Sequence, residues 1–327
     1  MKKIIVILCF ALVCTAGFSQ AGVQTQTPEP QPGKPIVIPT RYEEHRFIAT
    51  PVTIDNLTVS FFTDSAGISY LYEDVITRFH LKTESVGEDK LVTLPTFKPN
   101  SMVPVPLGRR DPRLYIVPRE TGDMGKLAAK EDGMLGQHWF AGRVWTFDYP
   151  NKTLLWRAAN DLPQHDKEHE VKLGFKTNSS GRRGANYARI PIEIDGETID
   201  FVLDTGASNY LSDSALKLIA DGRPAARATS FIVRSVFEKW KKAHSDWRTL
   251  ENIETFAGNA MIEVPKVKIG GFTVGPVWFT VQSDKGLRKE LTPMMDKQPD
   301  GSLGGSALHY FRMTVDWPNA IAVFERP

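Results

Sequence analysis

The sequence predicts a mainly β chain built as two homologous β-barrel lobes, with short helices and a helical insertion in the second lobe. Three observations carry that expectation. The segment "FFTDSAGISYL", Phe61 to Leu71, is nearly repeated as "FVLDTGASNYL", Phe201 to Leu211. A second repeat follows in the same order: "DGMLGQHWFAGRVWTFDYPN", from Asp132, aligns without gaps on "DGSLGGSALHYFRMTVDWPN", from Asp300. Apolar and polar residues alternate around turn dipeptides upstream of both copies, the pattern of half-buried strands. Separated matches in one order identify a repeated unit, which governs how the rest of the chain is read.

The first residues, "MKKIIVILCFALVCTAGFSQ", combine Lys2 and Lys3, an apolar run from Ile4 to Ala16 and small residues near Gly17, so residues 1–19 are expected to be a secretory signal peptide. That run is shorter than the roughly 20 residues that span a bilayer. The expected destination is the periplasm or the exterior, with no membrane span after cleavage. Both cysteines, Cys9 and Cys14, lie inside this leader, so the rest of the chain has no thiol for disulfides, nucleophilic catalysis or metal binding. Removing the leader takes two Lys and no acid from the 40 basic and 38 acidic residues, which leaves a net charge near zero. Neither nucleic acid nor an acidic membrane surface is expected as a partner.

Residues 20–40 hold Pro28, Pro30, Pro32, Pro35 and Pro39 and are expected to be an extended linker. The first lobe is placed at 41–159, an interlobe linker at 160–170 in the polar run "NDLPQHDKEHEVK", and the second lobe at 171–327. In the second lobe, "ARIPIEIDGETIDFVLDTG" reads as a hairpin turning at Asp195-Gly196; in the first, "ATPVTIDNLTVSFFTDSAG" turns at Asp55-Asn56. Each pair of strands ends at an Asp. The aligned tracts "YLYEDVITRF" and "YLSDSALKLI" are expected to be equivalent short helices, with Tyr70 on Tyr210 and Leu71 on Leu211. Asp204 and Asp300 lie 96 positions apart, against 68 for Asp64 and Asp132, so the second lobe carries an insertion. It is assigned to "FIVRSVFEKWKKAHSDW", where Val233, Val236, Phe237, Trp240, Ala243 and Trp247 recur at helical spacing.

D-T-G-A-S after an apolar strand, with the apolar-Gly element downstream, resembles the retropepsin-like and pepsin-like aspartic peptidases, and the resemblance extends over both halves. It implies hydrolysis of peptide bonds in a polypeptide substrate, without cofactor or metal, through a water activated between two carboxyl groups. Asp64 and Asp204 would be the catalytic pair. Ser65 and Thr205 would cross-link their loops, with Ala66, Gly67, Gly206 and Ala207 completing those loops, and Leu135-Gly136 and Leu303-Gly304 would buttress them from below. One chain would supply both acids as an intramolecular pseudo-dimer, so a monomer is expected.

Two departures stand out. The first motif reads D-S-A-G, with Ala66 at the family's Gly; if that position requires positive φ, Ala costs on the order of 1 kcal/mol or more. This keeps open a second reading, a non-catalytic peptide-binding protein on the same bilobal scaffold with a degenerate first motif. There is also no Tyr-Gly flap signature, and the candidate for covering the cleft is the stretch Leu91 to Pro118. G-x-S-x-G, P-loop and G-x-G-x-x-G patterns are absent. His165 and His169 have a metal-like spacing but sit in a charged run expected to be solvated, and the five other histidines show no partner spacing.

Overall fold

A computed structural model describes residues 29–107, 111–253 and 258–327. The expected signal peptide lies outside them. Among the described residues, twenty-five strands of three to seven residues form three large sheets and one two-stranded ribbon, with short helices between them. The mainly β, bilobal architecture is the one the alternating sequence predicts. No helix of the described residues is long and apolar enough to cross a membrane.

The two lobes repeat one strand plan. In the first, Phe61–Thr63 runs parallel to Gly133–Leu135, which lies antiparallel to Tyr70–Tyr72, itself parallel to Leu114–Val117. In the second, Glu197–Leu203, Gly301–Leu303, Ser230–Val233 and Val277–Gln282 stand in the same order and directions. The second-lobe hairpin turns as expected at Asp195-Gly196, both at positive φ, which is the two-residue geometry that matches strand twist. Around Asp55-Asn56 the first-lobe turn is also present, with Thr53 N donating to Leu57 O, but regular pairing there is confined to Ile48 and Ala49 against Phe62 and Phe61.

The strand plan relocates the insertion. Tyr70–Tyr72 corresponds to Ser230–Val233, not to the tract around Tyr210-Leu211, so the helix Arg234–Ala243 is the counterpart of Glu73–Arg78. Its Phe237 and Trp240 are buried on their own lobe, as the helical stripe predicts. The added material is 208–229: the ribbon Ser208–Tyr210 with Ala226–Ala228, and the helix Asp213–Ile219 between them. A Tyr-Leu dipeptide recurs by coincidence on elements of different role.

Between the lobes lies a six-stranded antiparallel sheet in the order Ile36–Ile38, Thr153–Arg157, Val144–Asp148, Arg312–Asp316, Ile321–Glu325, Glu170–Lys172. At its centre, Thr146 pairs with Thr314, and Trp145 and Phe147 flank it opposite Val315 and Met313. These are repeat-equivalent residues, so an approximate two-fold axis passes through the Thr146–Thr314 pair, whose hydroxyls are 2.7 Å apart and fully buried. The repeated D-x-P-N tetrapeptides make matching turns: Asn151 N donates to Asp148 Oδ1 and Asn319 N to Asp316 Oδ1. The segment expected to be a linker contributes an edge strand here, because the β-branched run Ile36-Val37-Ile38 pairs with Trp156 to Leu154, and Ile38 is buried. His165 and His169 part company: His165 Nε2 meets Glu170, while His169 stacks on Phe272 and bonds to the Gly270 carbonyl.

Candidate active site

Asp64 and Asp204 follow the inner strands Phe61–Thr63 and Glu197–Leu203. Asp64 N donates to Leu135 O and Asp204 N to Leu303 O, both at 3.0 Å, so each loop hangs from the buried Leu of its own D-G-x-L-G element. The glycine after each Leu lets the chains cross: a Cβ at Gly136 would lie 2.3 Å from Gly67 O, and one at Gly304 2.1 Å from Thr229 O. The amides of Gly136 and Gly304 donate to Ser69 Oγ and Ser230 Oγ at 2.9 and 3.0 Å. These two serines are equivalent in the two lobes and tie each loop to its support. Sequence alignment missed them because Ser230 lies beyond the insertion.

The loops also grip each other. Ser65 N donates to Thr205 Oγ1 at 3.1 Å, Thr205 N donates to Ser65 Oγ at 3.0 Å, and Ser65 Oγ donates to Leu203 O at 2.7 Å. All of this is buried, where an unpaired backbone group is costly. Gly67 and Ala207 amides close the two turns onto the carbonyls of Asp64 and Asp204, each at 3.1 Å.

The outcome is two buried carboxyl groups at the floor of one cavity, each within electrostatic reach of the other. Burial raises both above the ordinary carboxylate range, and the neighbouring Asp64 charge raises Asp204 further, to well above it. The surroundings are unequal. Asp64 Oδ1 accepts from Ala66 N at 2.8 Å, which favours its ionised form, and Asp204 Oδ1 is buried with no N–H or O–H donor. The two acids cannot both ionise cheaply, so they titrate as one pair. Ser302 lies beside Asp204 and favours its ionised form, whereas the equivalent first-lobe residue, Met134, presents its sulfur near Asp64. Ser302 could not be singled out from the repeat, since its position in D-G-x-L-G differs between the two copies.

Ala66 is not strained. Neither Ala66 nor Gly206 has positive φ, and the Ala66 methyl packs with Tyr187, Val202 and Met295. The glycine requirement falls on the other loop, where a Cβ on Gly206 would lie 2.4 Å from Asp64 Cγ. The feared cost at Ala66 is thus absent, for the backbone there is ordinary and the methyl has a pocket. Tyr187, which sequence reasoning passed over, is buried beside the pair, and burial with the two Asp charges pushes its phenol up to about 12.

The carboxyls open into a cavity of about 530 Å³ lined by both lobes, including Phe62, Tyr70 and Met134 from the first and Ser208 and Phe231 from the second. That volume suits a ligand side chain with its flanking backbone. Its roof is not the expected hairpin. No described residue of Leu91 to Pro118 lines the cavity; Trp139 Nε1 bonds to Pro104 O and Leu107 N to His138 O, so the apolar, proline-rich part of that stretch packs on the helix Gln137–Phe140 instead. Met124 and Leu127 cover the cavity from the helix Gly122–Leu127, and Lys126 Nζ stands 5.1 Å above the Tyr210 ring of the other lobe.

Among solved structures, the chain is similar to an aspartic proteinase from Irpex lacteus, with a TM-score of 0.50 and 13% identity over 89% of this chain and 96% of that one. The fold is that of the pepsin-like aspartic proteinases. Conglutin gamma, a basic 7S globulin from lupine seeds, aligns at a TM-score of 0.46 and 8% identity over 89% of this chain and 94% of that one. Basic 7S globulin from soybean aligns at 0.44 and 10% over 91% and 95%. No protein-family model and no curated protein sequence matches the chain.

Proposed function

We propose that the protein is an aspartic endopeptidase. The observation that carries this reading is that Asp64 and Asp204, on loops bonded to each other, line the floor of one cleft shared by two lobes. Asp64, whose ionised form the Ala66 amide favours, takes a proton from water as it attacks the peptide carbonyl, while Asp204 gives its proton to the carbonyl oxygen. The tetrahedral intermediate then collapses as the amine leaves with a proton returned from the pair. Buried acids that cannot both ionise cheaply supply the acid and the base together; the handling of two Asp groups in this way is the established example of a carboxyl dyad. No metal is required by this chemistry.

The same reading makes the two lobes products of an internal duplication, each supplying one Asp, and makes a single chain competent. It also takes the substrate to be a polypeptide met after export by the basic and apolar leader. Incubation of the purified protein with an unfolded polypeptide from acidic to neutral pH tests it. Cleavage that a statine-type inhibitor blocks and a chelator leaves unchanged is expected. Peptide binding without cleavage at any pH would replace the enzyme by a peptide-binding protein on the same scaffold.

A further inference from the structure

Two buried polar side chains at the first-lobe end of the cleft have no part in the chemistry above. Arg46 and Glu131 are 5% and 6% exposed, and both line the cavity that holds the Asp pair. Strand alternation explains how Arg46 comes to face it. Ile48 pairs with Phe62, which pairs with Met134, so these residues share the cleft face of the sheet, and Arg46 is two residues before Ile48 on that same face. Arg46 Nε donates to the Glu43 carbonyl and Nη2 to the Ala226 carbonyl. Among the described residues it makes no ion pair, which is unusual for a guanidinium this deeply buried.

Glu131 is its complement. Oε1 accepts from Arg41 Nη2 at 3.1 Å, but Oε2 is buried with no donor. One cavity therefore holds a buried cation with donor capacity to spare and a buried carboxylate oxygen with an unused lone pair, too far apart to satisfy each other as an ion pair. Arg41 and Glu43 add one further charge of each sign, so the cluster of Arg41, Arg46, Glu43 and Glu131 is neutral as a whole. A charged ligand group would unbalance it. A group carrying an acceptor and a donor side by side would complete it, because the Arg46 guanidinium gains an acceptor and Glu131 Oε2 its missing donor without an added charge.

We infer that Arg46 and Glu131 form a specificity subsite for a carboxamide side chain, Gln or Asn, of the bound polypeptide. The side-chain carbonyl accepts from Arg46, and the amide N–H donates to Glu131 Oε2. This deepens the reading of the cleft as a peptide site and rests on it. The insertion at 208–229 shapes the subsite, since its strand Ala226–Ala228 supplies the carbonyl that holds Arg46, and Ala228 N bonds to Glu44 O beside it. Sites that hydrogen-bond a particular side chain reject its apolar analogue strongly, because the buried polar groups are then left unpaired.

The test uses binding, so that it stands whether or not the protein cleaves. Full-length chain carrying Asp204→Asn, which blocks turnover, is immobilised and offered pooled synthetic decapeptides, each pool with one position fixed, and retained peptides are quantified by mass spectrometry. Gln or Asn should be enriched at least fivefold over Met and Glu at one position. In the Arg46→Met and Glu131→Met backgrounds that enrichment should vanish while preferences at other positions persist, with an unchanged melting transition confirming the fold. Enrichment of Glu at that position, of apolar residues alone, or a Gln preference that survives both substitutions would overturn the subsite. The unsubstituted background already decides the first two outcomes if a variant fails to fold. Retention of Gln peptides that the wild-type chain never cuts would sink the peptidase reading and leave the subsite standing; no retained peptide would sink both.

Discussion

Ser65→Ala tests the grip between the two loops with a magnitude that follows from its bonds. Ser65 Oγ donates to Leu203 O and accepts from Thr205 N, so removing one oxygen orphans two buried backbone groups, one in each direction. At roughly 1 to 3 kcal/mol per buried unpaired group, the loss should be about 2 to 6 kcal/mol. That is a large share of the roughly 5 to 15 kcal/mol that stabilises a typical folded domain. Thr205→Ala removes the acceptor for Ser65 N alone among these bonds and should cost about 1 to 3 kcal/mol, so the two halves of the grip are predicted to be unequal. Denaturant unfolding followed by tryptophan fluorescence gives both numbers. Cleavage of an unfolded polypeptide should fall by about 100-fold or more in Ser65→Ala, since a small misplacement of reacting groups has that effect. A Ser65→Ala chain within about 0.5 kcal/mol of wild type, or less affected than Thr205→Ala, would refute the reasoning.

Gly206→Ala should lower peptidase activity by about 100-fold, because its Cβ would sit 2.4 Å from Asp64 Cγ, whereas Ala66→Gly at the equivalent position should retain activity within a few-fold; a kcat/KM comparison of the two separates steric need from motif likeness. The raised Asp204 pKa means that the folded state holds a proton the unfolded chain releases near pH 4, so the dyad's contribution to stability falls as pH rises above that point. Asp204→Asn removes this penalty, and its Tm should gain on wild type progressively from about pH 4 towards neutrality; a difference independent of pH would contradict the shift. At the pseudo-two-fold axis, Thr314→Val should cost about 1 to 3 kcal/mol by orphaning the Thr146 hydroxyl, while the Thr146→Val/Thr314→Val double variant should recover most of that loss in denaturant unfolding.

Much of the candidate site was legible because the residues that the structure brings together lie in short contiguous motifs. Asp64, Ser65, Asp204, Thr205 and the two Leu-Gly elements each fall within a few residues of one strand end, so alternation and repetition locate them without tertiary information. What the sequence hid depends on contacts between distant segments. Ser302 is set against Asp204 only by the parallel pairing of Gly301–Leu303 with Phe201–Leu203. The insertion was misplaced because two Tyr-Leu dipeptides align by letter, whereas strand pairing equates Leu71 with Ile232 through their shared opposition to Gly133 and Gly301. Pro35 and Pro39 suggested a spacer, but three β-branched residues between them suffice to form a sheet edge that prolines bound without interrupting. The roof of the cleft was unreadable for a similar reason: a six-residue helix with one Met and one Leu carries no periodicity that distinguishes it from any surface turn.

If one carboxyl from each lobe acts on one water as a unit, single-site kinetics will show it. Turnover of an unfolded polypeptide should be measured for wild type, Asp64→Asn and Asp204→Asn at matched folded concentration. Each substitution alone should lower kcat by at least about 1,000-fold, and the double variant should be no worse than either, because neither acid works without the other. An Asp64→Asn chain that keeps near-wild-type turnover while Asp204→Asn loses it would contradict the account and assign the chemistry to second-lobe loops from two different chains.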